Sequence, residues 1–183
     1  MQPMTVEAFL AWERAQEARY EFDGVRVFAM NGGSLNHSVI STNLVEALGR
    51  RLTRPCRAFR GDVKILTASS VRYPDAVVTC SPWSGRSDIV PNPVVVFEVL
   101  SPSTASVDRL VKNAEYRAIP SVRRYVLLEQ GRMGATVFAR EGGNWMSLIL
   151  IGDAMLSMPE IGVDIPLSEI YRDVEFPEND PDA

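Results

Sequence analysis

Glu98 interrupts the run Val94-Val95-Val96-Phe97-Glu98-Val99-Leu100, whose β-branched residues predict a strand at a sheet centre. A carboxylate buried without a partner is costly enough to take up a proton or recruit a cation. Alternation puts Val94, Val96, Glu98 and Leu100 on one face, with Glu98 near the strand's C-terminal end, where open α/β sheets hold their chemistry. On pattern alone, a glutamate paired with arginine or lying at a partly exposed edge accounts for it equally well. A second carboxylate, Asp75, follows Pro74 and precedes Ala76-Val77-Val78. Pro-Asp alone is an ordinary turn signal. It gains weight from Glu98, across a loop able to bring two neighbouring strands together.

The third group lies on the helix expected after Glu98. With a step of about 100° per residue, Val107, Leu110, Val111, Ala114 and Ala118 gather on one stripe. Asp108, Lys112 and Tyr116 form an i, i+4, i+8 row along its flank. Such a row is usually a solvated salt-bridge edge. Here it follows directly on the strand that carries Glu98, so the helix packs nearby and can present that flank to the same site. His37, the sole histidine, shares a stripe with Ile40, Leu44 and Leu48 and so faces inward. A hydrogen-bonded core histidine and a residue at the edge of a site both fit.

The elements that must position these groups follow from punctuation and periodicity. Thr5 to Arg19 reads as an amphipathic helix capped by Thr5, and Tyr20 to Met30 as a hairpin turning at Asp23-Gly24. A break at Asn31-Gly32-Gly33-Ser34 precedes a second helix to about Leu52. Short β-runs follow at Arg57–Phe59, Val63–Thr67 and Ala76–Thr79, then a loop from Ser81 to Pro93. The helix after Glu98 stops at Ile119-Pro120. Strands are expected at Val122–Glu129, Thr136–Arg140 and Met146–Ile151, with a short helix near Leu167–Asp173. The whole is expected to be one domain over 1–176, with a frayed tail over 177–183.

The 183 residues are 46% hydrophobic and 23% charged, ordinary for a globular protein. No apolar run approaches the ~20 residues of a membrane span, and the N-terminal stretch is broken by Glu7, Glu13 and Arg14. Cys56 and Cys80 lack zinc spacing and read as reduced core residues, which places the chain in the cytoplasm. The net charge of −4 argues against a protein that coats nucleic acid nonspecifically. It does not exclude a nuclease, because a bound metal offsets negative charge. Arg50, Arg51, Arg54, Arg57 and Arg60 cluster as either solvated faces or a phosphate track. No G-x-G-x-x-G, Walker loop or G-x-S-x-G is present, so no nucleotide cofactor is expected.

Together, Pro74-Asp75, the stretch Phe97-Glu98-Val99-Leu100-Ser101-Pro102-Ser103-Thr104, and the spaced Asp108, Lys112 and Tyr116 resemble the restriction endonuclease domain family of the Uma-two type. That family belongs to the PD-(D/E)XK superfamily. Tyr20-Glu21, Asp23-Gly24, His37 and Tyr125 add to the likeness, which spans roughly residues 5 to 172. The resemblance implies an α/β (α+β) fold: a mixed central sheet flanked by helices, with a C-terminal β-meander. It implies Mg²⁺ (or Mn²⁺) held by Asp75, Glu98 and the Val99 carbonyl, with Lys112 orienting or deprotonating water. It gives Glu21, His37 and Tyr116 places at the same site. The superfamily's usual lysine, two residues after the acid, is replaced here by Leu100, and Lys112 stands in for it. DNA is the implied substrate, and a homodimer is expected because cutting both strands commonly uses two sites. The competing readings are a nuclease-fold module that binds nucleic acid or protein without cutting, and a hydrolase of another phosphodiester.

Overall fold

The computed structural model describes residues 4–30, 32–101 and 105–176. The tail expected over 177–183 lies outside them, as does the Pro102-Ser103-Thr104 part of the motif.

The valine-rich strand forms as its composition dictates. β7 (Pro93–Val99) lies inside a six-stranded sheet of order β10-β9-β8-β7-β6-β3, where β3 is Arg57–Arg60, β6 Ala76–Thr79, β8 Arg124–Leu128, β9 Gly134–Glu141 and β10 Asn144–Ile151. β7 and β8 are parallel and joined by the helix between them; the other adjacent pairs in this sheet are antiparallel. β8, β9 and β10 form the expected meander. The sheet is therefore mixed and flanked by helices.

Alternation along β7 sorts its side chains between two cores. Val95, Phe97 and Val99 pack with Ile40, Leu44 and Leu48 of α2 (Leu35–Arg51). Val96 and Leu100 pack on the opposite face with Tyr116 and Tyr125. Glu98 falls on this second face by the same alternation.

That face is covered by one helical rod: α3 (Ala105–Val107), a π-helical turn (Asp108–Lys112) and α4 (Asn113–Ala118). Its orientation reverses ordinary amphipathic packing. Asp108, Lys112 and Tyr116 are buried, whereas Val107, Leu110 and Val111 face solvent, Leu110 with 72% of its surface exposed. Ala114 and Ala118 are also exposed. The polar row faces inward because its charges are held by partners under the rod, described below. π-Turns inside helices recur at functional sites, and this one carries both Asp108 and Lys112.

A smaller sheet of order β2-β1-β5-β4 packs beside the main one, built from β1 (Tyr20–Phe22), β2 (Val27–Ala29), β4 (Ile65–Leu66) and β5 (Val71–Arg72). The β1–β2 turn is the expected Asp23-Gly24: Asp23 Oδ1 accepts from the N–H groups of Val25 and Arg26, and Gly24 takes a φ of 91°. α1 (Val6–Glu13) is capped by Thr5 but stops six residues short of the expected Arg19. Helix propensity is overridden there, because Glu13 is recruited by Lys64, Tyr73 and the N–H of Tyr20. A hairpin of β11 (Met155–Met158) and β12 (Val163–Pro166), with α5 (Leu167–Ile170), closes the first core.

Cys56 and Cys80, expected as reduced thiols, form a disulfide. The β3–β6 register pairs Arg57 with Thr79, so the two cysteines are the next cross-strand pair. They therefore give no argument for a reducing compartment. No helix among the described residues is long and apolar enough to cross a membrane.

Candidate active site

Asp75 and Glu98 meet because β6 and β7 run antiparallel, with Ala76 opposite Phe97. One step further along that register sets Asp75 against Glu98. Asp75 Oδ2 accepts the Val99 N–H at 2.7 Å, which fixes the carboxylate at the end of the strand pair. Val99 thus meets the site through its N–H. The other oxygen, Oδ1, lies 3.1 Å from His37 Nε2.

His37 begins the inward stripe of α2, one turn before the buried Ile40. Ser34 caps that helix, accepting from the His37 N–H at 3.1 Å. The imidazole lies close over Gly33, where a Cβ would come within 2.8 Å of His37 Cγ. His37 and Asp75 line a cleft of about 390 Å³ that also takes in Arg19, Ser38 and Arg60. His37 is half-buried, paired with Asp75 and part of the cleft wall. Its hydrogen bond to Asp75 raises its pKa above 6.5, against the opposing effect of burial.

Behind this pair is a charged cluster withdrawn from solvent. Lys112 Nζ lies 3.0 Å from Glu98 Oε1, 3.2 Å from Asp108 Oδ1 and 3.3 Å from Glu21 Oε1. Tyr116 donates its hydroxyl to the same Glu98 oxygen at 3.0 Å. Tyr125, on β8, donates to the Asp108 carbonyl at 3.1 Å, tying the π-turn to the sheet. Glu98 is only 4% exposed, and burial pushes its carboxyl well above 4.5, helped by Asp75, Asp108 and Glu21 and opposed by Lys112. Lys112 remains an ammonium, its pKa raised by those carboxylates against the cost of burial. Burial, with the Glu98 charge beside it, holds Tyr116 neutral and a donor.

Glu21 reaches this cluster from β1, the smaller sheet. Its Oε1 accepts the Tyr73 N–H at 3.0 Å, and its Oε2 lies 3.2 Å from Arg72 NH1. Arg72, fully buried, also forms a bidentate pair with Glu115 of α4, at 2.7 and 2.8 Å. This alternating chain, Glu115–Arg72–Glu21–Lys112, holds the rod's polar row inward. Sequence reasoning missed Arg72. The signal available was an arginine two residues before Pro74-Asp75, in a stretch too short to read as a strand.

The expected site residues Asp75, Glu98, Val99, Lys112, Glu21, His37 and Tyr116 therefore converge at one end of the sheet. The basic cluster does not act as one unit. Arg50 and Arg51 pair with Glu169, whereas Arg60 lines the cleft.

Among the described residues no group of three or more His, Cys, Asp or Glu side chains converges in a ligand set for a metal. The charge balance nonetheless fits a divalent ion. Glu98, Glu21 and Asp108 share one ammonium with Asp75 nearby, and the buried Asp108 Oδ1 meets that ammonium as an ion pair without an aligned hydrogen bond. Carboxylate oxygens are the hard donors that Mg²⁺ and Mn²⁺ take.

Comparison with known proteins agrees with this architecture. The model of the Uma2 family, described as "Putative restriction endonuclease", matches residues 6–167. Two proteins of Synechocystis sp. (strain ATCC 27184 / PCC 6803 / Kazusa) are similar along most of their length. "Uncharacterized protein slr1290" is 32% identical over 178 residues, 94% of each chain. "Uncharacterized protein sll1609" is 28% identical, over 82% of this chain and 89% of its own. The crystal structure of a "putative nuclease belonging to DUF820" from Anabaena variabilis ATCC 29413 superposes with a TM-score of 0.72 at 17% identity. That match covers 92% of this chain and 98% of the other, and it shows a shared fold.

Proposed function

Because the chain belongs to the Uma2 family of restriction-endonuclease-like proteins, we propose that it is a metal-dependent endonuclease hydrolysing DNA phosphodiester bonds. The observation that carries this reading is the Lys112 ammonium, 3.0 Å from Glu98 on the face and at the strand end where Asp75 also sits. A phosphate entering the cleft meets charge of both signs: carboxylates to hold a cation, and cationic side chains to receive the anion.

Asp75 and Glu98 are the residues that would hold Mg²⁺ (or Mn²⁺), whose contribution when bound is to polarise a phosphate and lower the pKa of a water. Lys112, held by Glu98, Glu21 and Asp108, keeps a fixed positive charge where negative charge grows on the phosphate. In this reading His37, paired with Asp75 on the cleft wall, gives a proton to the leaving oxygen or contacts a phosphate. Arg19 and Arg60 on the cleft wall suit the flanking phosphates. Tyr116 keeps Glu98 oriented toward Lys112. In a homodimer, two such sites would serve the two strands of a duplex.

The test is incubation of purified protein with supercoiled, linear and single-stranded DNA, with Mg²⁺ or Mn²⁺, beside Glu98→Ala. Metal-dependent cleavage by the wild type alone is the expected result; no cleavage under any condition overturns it. A second reading, a nuclease-fold module that binds without cutting, draws on Glu98 Oε1 already being engaged by Lys112 and Tyr116. Retarded DNA migration with no strand scission would favour it.

A further inference from the structure

The open edge of the main sheet is unusual in its chemistry. β10 ends the strand order, so its outer side pairs with no strand among the described residues. Its sequence, Asn-Trp-Met-Ser-Leu-Ile-Leu-Ile, contains no charge and no proline. Soluble proteins normally guard such an edge with exactly those features absent here, because unpaired N–H and C=O groups template association. Met146, Leu148, Ile149 and Ile151 are each more than half exposed, on both faces of the strand.

The hydrogen-bond phase says which groups are free. Gly152 N–H donates to Met133 O, one step beyond the Ile151–Gly134 pair. Antiparallel pairs alternate, so Asn144, Met146, Leu148 and Leu150 direct their backbone groups to β9. Those of Trp145, Ser147, Ile149 and Ile151 point off the edge.

We infer that β10 is a self-pairing interface: a second copy of the chain adds its own β10 antiparallel, about a two-fold axis at Leu148. In that register Trp145 faces the partner's Ile151 and Ser147 the partner's Ile149, and the reverse. All four outward residues on each copy find a partner, as an isologous contact requires. The two six-stranded sheets become one of twelve strands. Strand addition over eight residues is about 26 Å long. The exposed Met146, Leu148, Ile149 and Ile151 flank that edge above and below, a contiguous apolar stretch and not singly scattered side chains. A charged peptide is a poor occupant, since the edge offers it no opposite charge. The inference does not depend on the nuclease reading.

The register makes a sharp prediction. Leu148 meets its own copy as a non-hydrogen-bonded pair, about 4.5 Å between Cα atoms, within the ~4.4–6.8 Å range of a disulfide. Leu148→Cys should cross-link into a covalent dimer on mild oxidation and be released by reductant. Light scattering after size exclusion should give two chains for the wild type and one for Ile149→Lys, with unchanged far-ultraviolet circular dichroism. Should Ile149→Lys fail to fold, the Leu148→Cys cross-link still decides. A single-chain wild type at every soluble concentration overturns the inference. So does a dimer that cross-links through Leu110→Cys, on the exposed apolar stripe of the rod, and not through Leu148→Cys.

Discussion

Lys112 Nζ and Glu98 Oε1 lie 3.0 Å apart, and the same ammonium also faces Glu21 and Asp108. One cation therefore balances a group of carboxylates that water barely reaches. At 6% exposure Lys112 is part of the folded interior, so Lys112→Ala is expected to cost stability as well as activity. Removing one member of a buried charge cluster leaves the others uncompensated, at about 3–5 kcal/mol. Urea unfolding at neutral pH should show a loss of that size. Cleavage should fall by about 10²–10³-fold, as when one preorganised electrostatic group is removed. A Lys112→Ala protein as stable and as active as wild type would remove the residue from the site.

The pH dependence of Glu98 has a definite sign. Its folded pKa is raised, so between about 4.5 and that raised value the native state holds more protons than the unfolded chain. Its contribution to stability is complete below the unfolded pKa and is lost as pH rises through the folded one. Glu98→Gln keeps an oxygen to accept from Tyr116 and removes the ionisation. The variant should melt above wild type at pH 8, with the gap closing toward pH 4. A gap that widens on acidification would reverse the assignment.

Much of this site was legible because β7 obeys simple alternation. Its apolar residues demanded a central strand, the period of two put Glu98 with Val96, and antiparallel pairing with β6 brought Asp75 opposite. The rod's orientation was not legible. An apolar stripe through Leu110 and Val111 argues for burial at about 1.5–3 kcal/mol per side chain, yet the polar row is buried instead. The decisive partners, Glu21 and Arg72, come from a sheet far away in sequence, and β5 has only two residues. The disulfide was equally hidden, since it depends on the β3–β6 register and not on cysteine spacing.

Divalent-ion binding can be read without any DNA. If Asp75 and Glu98 hold the ion, Mg²⁺ or Mn²⁺ should raise the melting temperature of the wild type. An ion at about 100 times its Kd adds roughly 2.7 kcal/mol of stability. Asp75→Asn and Glu98→Ala should each abolish the shift. Lys112→Arg, which keeps the positive charge, should retain it. An ion-induced shift that survives both carboxylate changes would place the ion elsewhere.

Gly33 offers the narrowest test of His37. A Cβ there would lie 2.8 Å from His37 Cγ and 2.9 Å from Nδ1, so Gly33→Ala is expected to displace the ring from Asp75. Gly33 is exposed, so global stability should change little. Misplacing a reacting group by about 1 Å costs on the order of 10²-fold in rate, and a loss of that size is expected. The sequence has one histidine, so its ring proton signal reports this site alone. In the wild type its pKa should lie above 6.5, held there by Asp75, and in Gly33→Ala it should fall back toward that value. Gly32→Ala is the control, because a Cβ at that position meets nothing within 4 Å. If both alanine variants cleave like wild type and the Gly33→Ala titration is unmoved, His37 is a bystander at the cleft edge.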